Sequence, residues 1–318
     1  MKRVLTAVIL IPLVVLALFR APLWLFTLLV LGVALLAARE YFDIAEKTGY
    51  KPFRGLTYPL LTAVFVLGYV CSQFLAAFQG FQPNLALNVA FVVALVLVVL
   101  SPFVLLVAGM TREPLSHALP DAAVSFLSLP YVGISLASMI VVRSALNGAL
   151  FLLFLMLLVW SGDIAAYYVG RAFGRHKLSP HISPGKTWEG SIASVLGASI
   201  IAVLLFRYVQ PIYTFLSSLR LLPQAGQTLS VMMQHPAFPR APVALVIVLA
   251  VCVNLAAQVG DLVESMLKRG AGLKDSGALL PGHGGVLDRI DALLFAAVVG
   301  WFFYFGLLSK YFLPITAG

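Results

Sequence analysis

Long apolar runs alternate with short polar stretches along the whole chain. Nine runs approach the roughly 20 residues that a helix needs to cross the hydrocarbon core of a bilayer. They cover residues 4–19, 22–38, 57–78, 85–109, 121–142, 148–170, 190–209, 242–266 and 290–309. The pattern predicts an all-α integral membrane protein, a polytopic helical bundle of about nine transmembrane helices.

The composition agrees, because 61% of the 318 residues are hydrophobic, 10% are charged and the mean hydropathy is +1.02. The polar stretches are too short to fold as a soluble domain, so we expect a single membrane domain over residues 1–318. Residues 1–150 would supply N-terminal transmembrane helices. Residues 151–309 would form a catalytic membrane core with cytoplasmic loops at 171–189 and 268–289.

The net charge of +9 does not indicate a nucleic-acid-binding protein, because the basic residues lie between membrane segments. Cationic loops beside anionic membrane lipids explain it more simply. With a cytoplasmic N-terminus and nine crossings, 15 of the 21 basic residues and all 12 acidic residues fall on the cytoplasmic side. This bias follows the orientation rule for Lys and Arg. We therefore expect a protein of the cytoplasmic membrane with its chemistry at the inner face.

Three polar clusters interrupt the apolar pattern, and the first surrounds Asp163. This carboxylate lies inside a long apolar segment with Ser161 and Gly162 beside it. A charge at that depth is costly and usually marks a functional site. The alternative is an Asp at a helix end that pairs with a nearby Arg.

The second cluster is Ser183–Gly190, which reads SPGKTWEG. Ser-Pro-Gly is typical of a turn, and we expect the next helix to start near Thr187 as its N-cap. Backbone N–H groups at a helix start favour anions, and Lys186 adds a positive charge. An ordinary basic loop is the alternative.

The third cluster begins in the eighth apolar run. If that helix continues to about Lys268, then Asp261, Ser265 and Lys268 lie on one face, with Glu264 adjacent. We expect this face to point into a cavity rather than at lipid. The glycine-rich stretch after Arg269 forbids a regular helix and permits close approach of a ligand to the backbone.

The polar residues at the start of the ninth run complete this cluster. Asp288 would bring a second carboxylate to Asp261 from another helix end, and Mg²⁺ prefers a few carboxylates with waters and phosphate oxygens. The basic residues that could balance a polyphosphate are Lys186, Lys268, Arg269, Lys274 and Arg289. The inventory favours binding of a polyphosphate with a divalent metal, and phosphoryl-type transfer.

His283 lies in the glycine-rich stretch and has several candidate roles. It could be an acid or base, a phosphate donor or a metal ligand. No second His or Cys stands nearby in the sequence, so a zinc site is not expected. A structural His that bonds a loop carbonyl is the alternative.

These residues resemble the signature of the phosphatidate cytidylyltransferases, or CDP-diacylglycerol synthases. Every fixed position of that signature is occupied within Ser265–Asp291, and Asp163–Arg171 and Ser183–Gly190 are similar to two further blocks of the family. The resemblance is specific from about residue 155 to 295. One departure is Gly185, where the family usually carries Asn or another polar residue.

The resemblance implies that CTP and phosphatidic acid give CDP-diacylglycerol and pyrophosphate for phospholipid synthesis. It implies that Asp261 and Asp288 hold Mg²⁺, with a monovalent ion such as K⁺ beside it, and Asp163 and Ser265 are further candidate ligands. Lys186 and Lys268 join the two carboxylates as candidate catalytic residues. Candidate substrate-binding residues are Ser183, Lys186, Ser265, Arg269, Lys274, His283, Gly284, Gly285 and Arg289. The lipid phosphate is already nucleophilic, so no dedicated general base is expected.

Other functions remain open from the residues alone. A CTP-dependent lipid kinase would share the metal and nucleotide chemistry. An ion-coupled transporter would explain Asp163 and Asp261 but not the glycine-rich loop. A CDP-alcohol phosphotransferase would need a DG…AR…G…D…D pattern, which the sequence does not contain. The chain is also compatible with a homodimer.

Overall fold

The computed structural model describes most of the chain, in five parts: residues 2–77, 97–145, 147–222, 242–279 and 284–308. Within these residues the chain is mostly helical and has very little strand, which confirms the all-α fold. The two strands of the described part form one short hairpin.

Six α-helices belong to the first half of the chain. They are α1 (Lys2–Arg20), α2 (Leu23–Lys47), α3 (Arg54–Ala77), α4 (Leu97–Gly109), α5 (Ala118–Ser128) and α6 (Ser135–Ser144). A 3-10 turn at Leu115–His117 leads into α5, and a π-helical segment at Leu129–Ile134 joins α5 to α6. The result is one helical rod over Leu115–Ser144, the most buried of the seven long apolar helices.

The second half contributes the hairpin and five further α-helices. They are α7 (Gly148–Phe173), β1 (Lys177–Ser179), β2 (Ser183–Thr187), α8 (Trp188–Arg207), α9 (Val209–Ser218), α10 (Val243–Gly270) and α11 (Leu287–Phe302). A π-helical segment, Phe303–Leu308, continues α11. Helix α7 packs along α8, while α10 packs along both α8 and α11.

Seven helices of the described part are long and apolar enough to cross a membrane. Their spans are Leu23–Lys47, Arg54–Gln73, Leu115–Ser144, Gly148–Phe173, Trp188–Arg207, Val243–Gly270 and Leu287–Gly306. Two shorter apolar helices, Leu10–Arg20 and Leu97–Gly109, coincide with the first and fourth predicted segments. The protein is therefore a multi-pass membrane protein. Nine crossings and a cytoplasmic N-terminus stay predictions, and residues 85–96 of the fourth segment lie outside the described part.

One hydrophobic core joins the two halves of the chain. Phe42 of α2 and Leu61 of α3 are fully buried in the same cluster as Leu155 of α7 and Leu287 of α11. Lipid is as apolar as these side chains, so close packing rather than water exclusion holds such helices together. The N-terminal helices are thus packed against the elements that carry the predicted site.

The predicted turn at Ser183-Pro184-Gly185 is wrong, because these residues belong to β2. Lys177 pairs with Thr187 and Ser179 pairs with Ser183, with a shift of register between the two pairs. The extra residues of β2 form a bulge, where a proline without an N–H is tolerated and a side chain can be re-aimed. The predicted N-cap is confirmed, since the Thr187 hydroxyl accepts a bond from the Gly190 N–H at 3.2 Å.

Candidate active site

Lys186 and Asp261 bring the β-hairpin onto helix α10. The Lys186 ammonium lies 2.7 Å from Asp261 Oδ2, and both side chains keep contact with solvent. Lys186 is in the bulged part of β2, which directs its side chain toward α10. The pair therefore stands at an accessible position, where either partner can exchange the other for a ligand.

Close packing of α7 against α8 and α10 places Asp163 near this pair. A Cβ at Gly162 would collide with the Asn254 amide and approach the Ser194 hydroxyl. Asn254 Nδ2 in turn donates to Ser194 Oγ at 3.0 Å, which ties α10 to α8. Gln258 extends this buried polar contact by donating to Asn254 Oδ1 at 2.7 Å. Small residues permit such close approach in membrane helices, and hydrogen bonds fix it.

A second glycine brings α10 close to α11. A Cβ at Gly260 would collide with the carbonyl oxygen of Asp291. The carboxylates of Asp163, Asp261 and Asp291 consequently lie within electrostatic range of one another. Their mutual repulsion makes this acidic cluster a favourable place for a cation, and Lys186 supplies one positive charge there.

Asp288 is held by several donors at the start of α11. Its Oδ1 accepts from Lys268 Nζ at 2.5 Å, and its Oδ2 accepts from the backbone N–H groups of Ser276 at 2.9 Å and Gly285 at 2.8 Å. The Ser276 hydroxyl lies 3.0 Å from the same oxygen. Gly284 has φ +80 and lies so close to Asp288 that a side chain there would be strained.

Lys268 contacts both Asp288 and Glu264, and Glu264 lies one helical turn before Lys268 in α10. Lys268 Nζ is 2.5 Å from Glu264 Oε2, and the Glu264 side chain is fully buried. The Glu264 oxygens make no hydrogen bond of good geometry among the described residues, so the ion pair is what compensates this buried charge. Losing the lysine would leave two carboxylates without a counter-ion.

The structure brings together some of the predicted residues and separates others. Asp261 lies beside Lys186, and its Oδ1 is 3.4 Å from the Ser265 hydroxyl, whereas Lys268 faces Glu264 and Asp288 instead of Asp261. The predicted residues that lie at exposed positions are Arg269, Lys274 and Arg289. Ser183 lies in β2, opposite Ser179. His283 lies outside the described residues.

Several residues of this site had no predicted role. Glu40 and Ser276 bond to each other, Glu264 pairs with Lys268, and Asp291 joins the acidic cluster. The Glu264–Lys268 spacing of i, i+4 is a readable pairing signal. Nothing in the local sequence connects Glu40 to Ser276, which lies 236 residues further along the chain.

The donor set fits a divalent cation that arrives with a phosphate ligand. No group of three or more His, Cys, Asp or Glu among the described residues has the arrangement of a complete metal site. Mg²⁺ does not require one, since it usually keeps waters and binds one or two carboxylates together with substrate phosphates. Carboxylates outnumber lysines around Asp261, and this excess supplies the negative charge that a divalent cation requires.

Comparison with known families matches residues 1–307 to the cytidylyltransferase family. The chain belongs to that family. It is similar to a phosphatidate cytidylyltransferase of Haemophilus influenzae, with 33% identity over 313 residues that cover 96% of this chain and 99% of the relative. It is also similar to the enzymes of that name from Brucella suis biovar 1, with 39% identity over 54% of each chain. The match to the Staphylococcus saprophyticus enzyme is 37% identical over 55% of this chain and 56% of the relative.

The match confirms the resemblance recognised from the motifs at residues 155–295 and extends it. In this cytidylyltransferase the family match also covers α2, α3 and the rod at Leu115–Ser144. The N-terminal helices therefore belong to the family's shared architecture.

Proposed function

We propose that this cytidylyltransferase transfers the CMP moiety of CTP to phosphatidic acid, giving CDP-diacylglycerol and pyrophosphate for phospholipid synthesis. The full-length match to the Haemophilus influenzae enzyme carries this proposal. The site is consistent with it, because acidic and basic side chains converge at the ends of apolar helices. A lipid substrate and a water-soluble nucleotide can meet at such a boundary.

In the proposed reaction, an oxygen of the phosphatidate phosphate attacks the α-phosphorus of CTP. A new P–O–P link forms, and the bond between the α-phosphorus and the oxygen that bridges to the β-phosphorus breaks. Pyrophosphate leaves with the electron pair of that bond. The attacking phosphate oxygen is already anionic near neutral pH, so the chain needs to position it rather than deprotonate it. A general base such as His283 is not required.

The two lysines of the site have different proposed roles. Lys186 is partly exposed and bonded to Asp261, so it can turn toward a substrate phosphate when CTP binds. Lys268 is held between Glu264 and Asp288 and fixes the orientation of Asp288. The exposed Arg269, Lys274 and Arg289 would attract the triphosphate toward the site.

Asp261 is the carboxylate that we propose as the principal Mg²⁺ ligand. Its side chain is 39% exposed and has Lys186 as an exchangeable partner. Asp163 and Asp291 lie within electrostatic range of it, while Asp288 would have to release Lys268 before an oxygen became available. Bound Mg²⁺ would offset phosphate charge at the reacting phosphorus. The remaining negative charge could also accept a monovalent ion such as K⁺.

We further propose that the protein lies in the cytoplasmic membrane with this site facing the cytoplasm, where CTP is available. Phosphatidic acid would enter from the bilayer between helices. Anionic lipids would bind the basic loops, and a homodimer is compatible with this arrangement.

Product analysis with two lipid substrates tests the proposed reaction. Purified protein is incubated with CTP and Mg²⁺ and either phosphatidic acid or diacylglycerol. We expect CDP-diacylglycerol from phosphatidic acid and no phosphorylated lipid from diacylglycerol. Phosphatidic acid formed from diacylglycerol would instead show the related CTP-dependent lipid kinase reaction.

A further inference from the structure

Glu40 of α2 is buried against the loop that precedes α11. Its Oε1 accepts from the Val286 N–H at 2.9 Å, and its Oε2 accepts from the Leu287 N–H at 2.8 Å. The Ser276 hydroxyl donates to Oε2 at 2.8 Å. A carboxylate from the first quarter of the chain thus binds Ser276, which follows α10, as well as Val286 and Leu287 at the start of α11.

These bonds meet a specific need at the N-terminus of α11. The first N–H groups of a helix have no partner within it, and Val286, the N-cap residue, has no side-chain acceptor. Glu40 fills this role from another helix, and its negative charge also matches the positive end of the α11 dipole. Because Glu40 is 7% exposed, water competes little for these bonds.

Gly277 and Gly285 lie so close to the Glu40 side chain that neither position has room for a Cβ. A Cβ at Gly277 would lie 2.6 Å from Glu40 Oε1, and a Cβ at Gly285 would collide with Glu40 Oε2. Neither glycine has a positive φ. Their lack of a side chain is therefore explained by this close approach rather than by backbone conformation.

Ser276 connects Glu40 to the catalytic candidates. Its hydroxyl lies within 3.0 Å of both Glu40 Oε2 and Asp288 Oδ2, and its single proton serves one carboxylate at a time. Asp288 in turn contacts Lys268, and Lys268 contacts Glu264. The buried network of polar contacts therefore runs from Glu40 of α2 through Ser276 and Asp288 to Lys268 and Glu264 of α10.

We infer that Glu40 is a positioning residue of the active site, which fixes Ser276, Val286 and Leu287 and thereby orients Asp288 and Lys268 for binding of CTP. This inference rests on the proposed function. It assigns a role in nucleotide binding to a side chain that is more than 100 residues away in the sequence from the motifs at residues 155–295, although it contacts them in the fold.

The test compares two glutamates of the same helix. Glu40→Gln replaces one acceptor oxygen by an NH2 group, which donates hydrogen bonds but cannot accept them. Glu46→Gln alters a half-exposed side chain that pairs with Arg54. Hydrogen exchange of peptides covering Val286 and Leu287 reports the contact itself, without any need for activity. Steady-state kinetics with CTP and phosphatidic acid report its consequence.

For Glu40→Gln we expect exchange at Val286 and Leu287 to be about tenfold faster, and KM for CTP to rise about tenfold. KM for phosphatidic acid should stay within about twofold, because the inference assigns these residues to the binding of CTP and not of the lipid. Glu46→Gln should change each quantity by about twofold or less, as is usual for a surface ion pair. A purely structural role of Glu40 would reduce the amount of active protein and leave both KM values unchanged, and this result would overturn the inference.

Ser276→Ala provides a second variant with little risk to folding. It removes the hydroxyl link but keeps the bonds from Glu40 to Val286 and Leu287. We expect KM for CTP to rise about threefold, and the double variant with Glu40→Gln to match Glu40→Gln alone, since both changes cut one network. Effects that multiply in the double variant would contradict the proposed link.

The two kinds of failure can be told apart. If wild-type protein forms no CDP-diacylglycerol, the proposed function is wrong, and the exchange data still decide whether Glu40 holds the loop. If wild-type protein is active and Glu40→Gln has wild-type exchange or a wild-type KM for CTP, the inference about Glu40 is wrong.

Discussion

Lys186 Nζ and Asp261 Oδ2 lie 2.7 Å apart and join the β-hairpin to helix α10. The contact places a lysine ammonium, which can bind phosphate, directly beside the carboxylate that we propose as a Mg²⁺ ligand. Both groups remain partly exposed, in contrast to the buried pair of Lys268 and Glu264. The site thus contains one pair suited to exchange with ligands and one suited to hold the framework in place.

Asp261→Asn should remove activity with little loss of stability. The substitution takes away a charge from an accessible site, so we expect CDP-diacylglycerol formation to fall on the order of 100-fold. Asp43→Asn is the matched control, since Asp43 is a half-exposed carboxylate of α2 that pairs with Arg54. Product formation and thermal unfolding of the purified variants are measured together. Near-normal turnover by Asp261→Asn would remove this residue from the proposed site.

Lys268→Met should instead destabilise the protein. It leaves Glu264 and Asp288 buried without a counter-ion, at a cost of about 3–5 kcal/mol. The exposed Lys274→Met serves as the control. The midpoint of thermal unfolding in detergent measures the loss, and adding Glu264→Gln to Lys268→Met should recover part of it. An unchanged midpoint for Lys268→Met would show that the ion pairs do not stabilise the fold.

Gly162→Ala should disturb the packing that places Asp163. The added methyl group would collide with Asn254, and overpacking of this kind costs about 1–3 kcal/mol. Gly32→Ala is the control, because a Cβ at Gly32 in α2 meets nothing within 4 Å. That change should be neutral or stabilise the helix by up to about 1 kcal/mol. Equal midpoints of thermal unfolding for the two variants would contradict the close packing at Gly162.

The proposed orientation predicts which single cysteines react from which side. Cys71 and Cys252 are first replaced, and one cysteine is then introduced at Leu279 or at Leu219, which are both exposed. A membrane-impermeant thiol reagent should label the Leu219 position from outside intact cells. It should reach the Leu279 position only after the cytoplasmic side is opened. The reverse pattern would contradict the topology.

Segments of the fold were predictable wherever one local signal decided them. Apolar length located the long helices but not the short α9, and the Thr187 N-cap followed from the residues around it. The hairpin was missed because Ser183-Pro184-Gly185 is a common turn sequence. The pairing of β2 with Lys177–Ser179 depends on a bulge, and no local sequence signal predicts that bulge.

The candidate site was predictable only as a list of residues. Local spacing could place Asp261 and Lys268 on one helix, but it could not show that each would take a different partner. Lys186 reaches Asp261 from the hairpin, and Glu264 and Asp288 surround Lys268. The contribution of Glu40 could not be predicted from the local sequence, because its partners follow more than 230 residues later in the chain.

The position of the label that CTP transfers to lipid tests the central proposal most directly. Purified protein receives phosphatidic acid, Mg²⁺ and CTP labelled at either the α- or the γ-phosphorus, with Asp261→Asn as the inactive comparison. We predict that the α-label appears in the lipid product and that the γ-label appears in pyrophosphate. Transfer of the γ-label to lipid, or no transfer of either label by wild-type protein, would contradict the account.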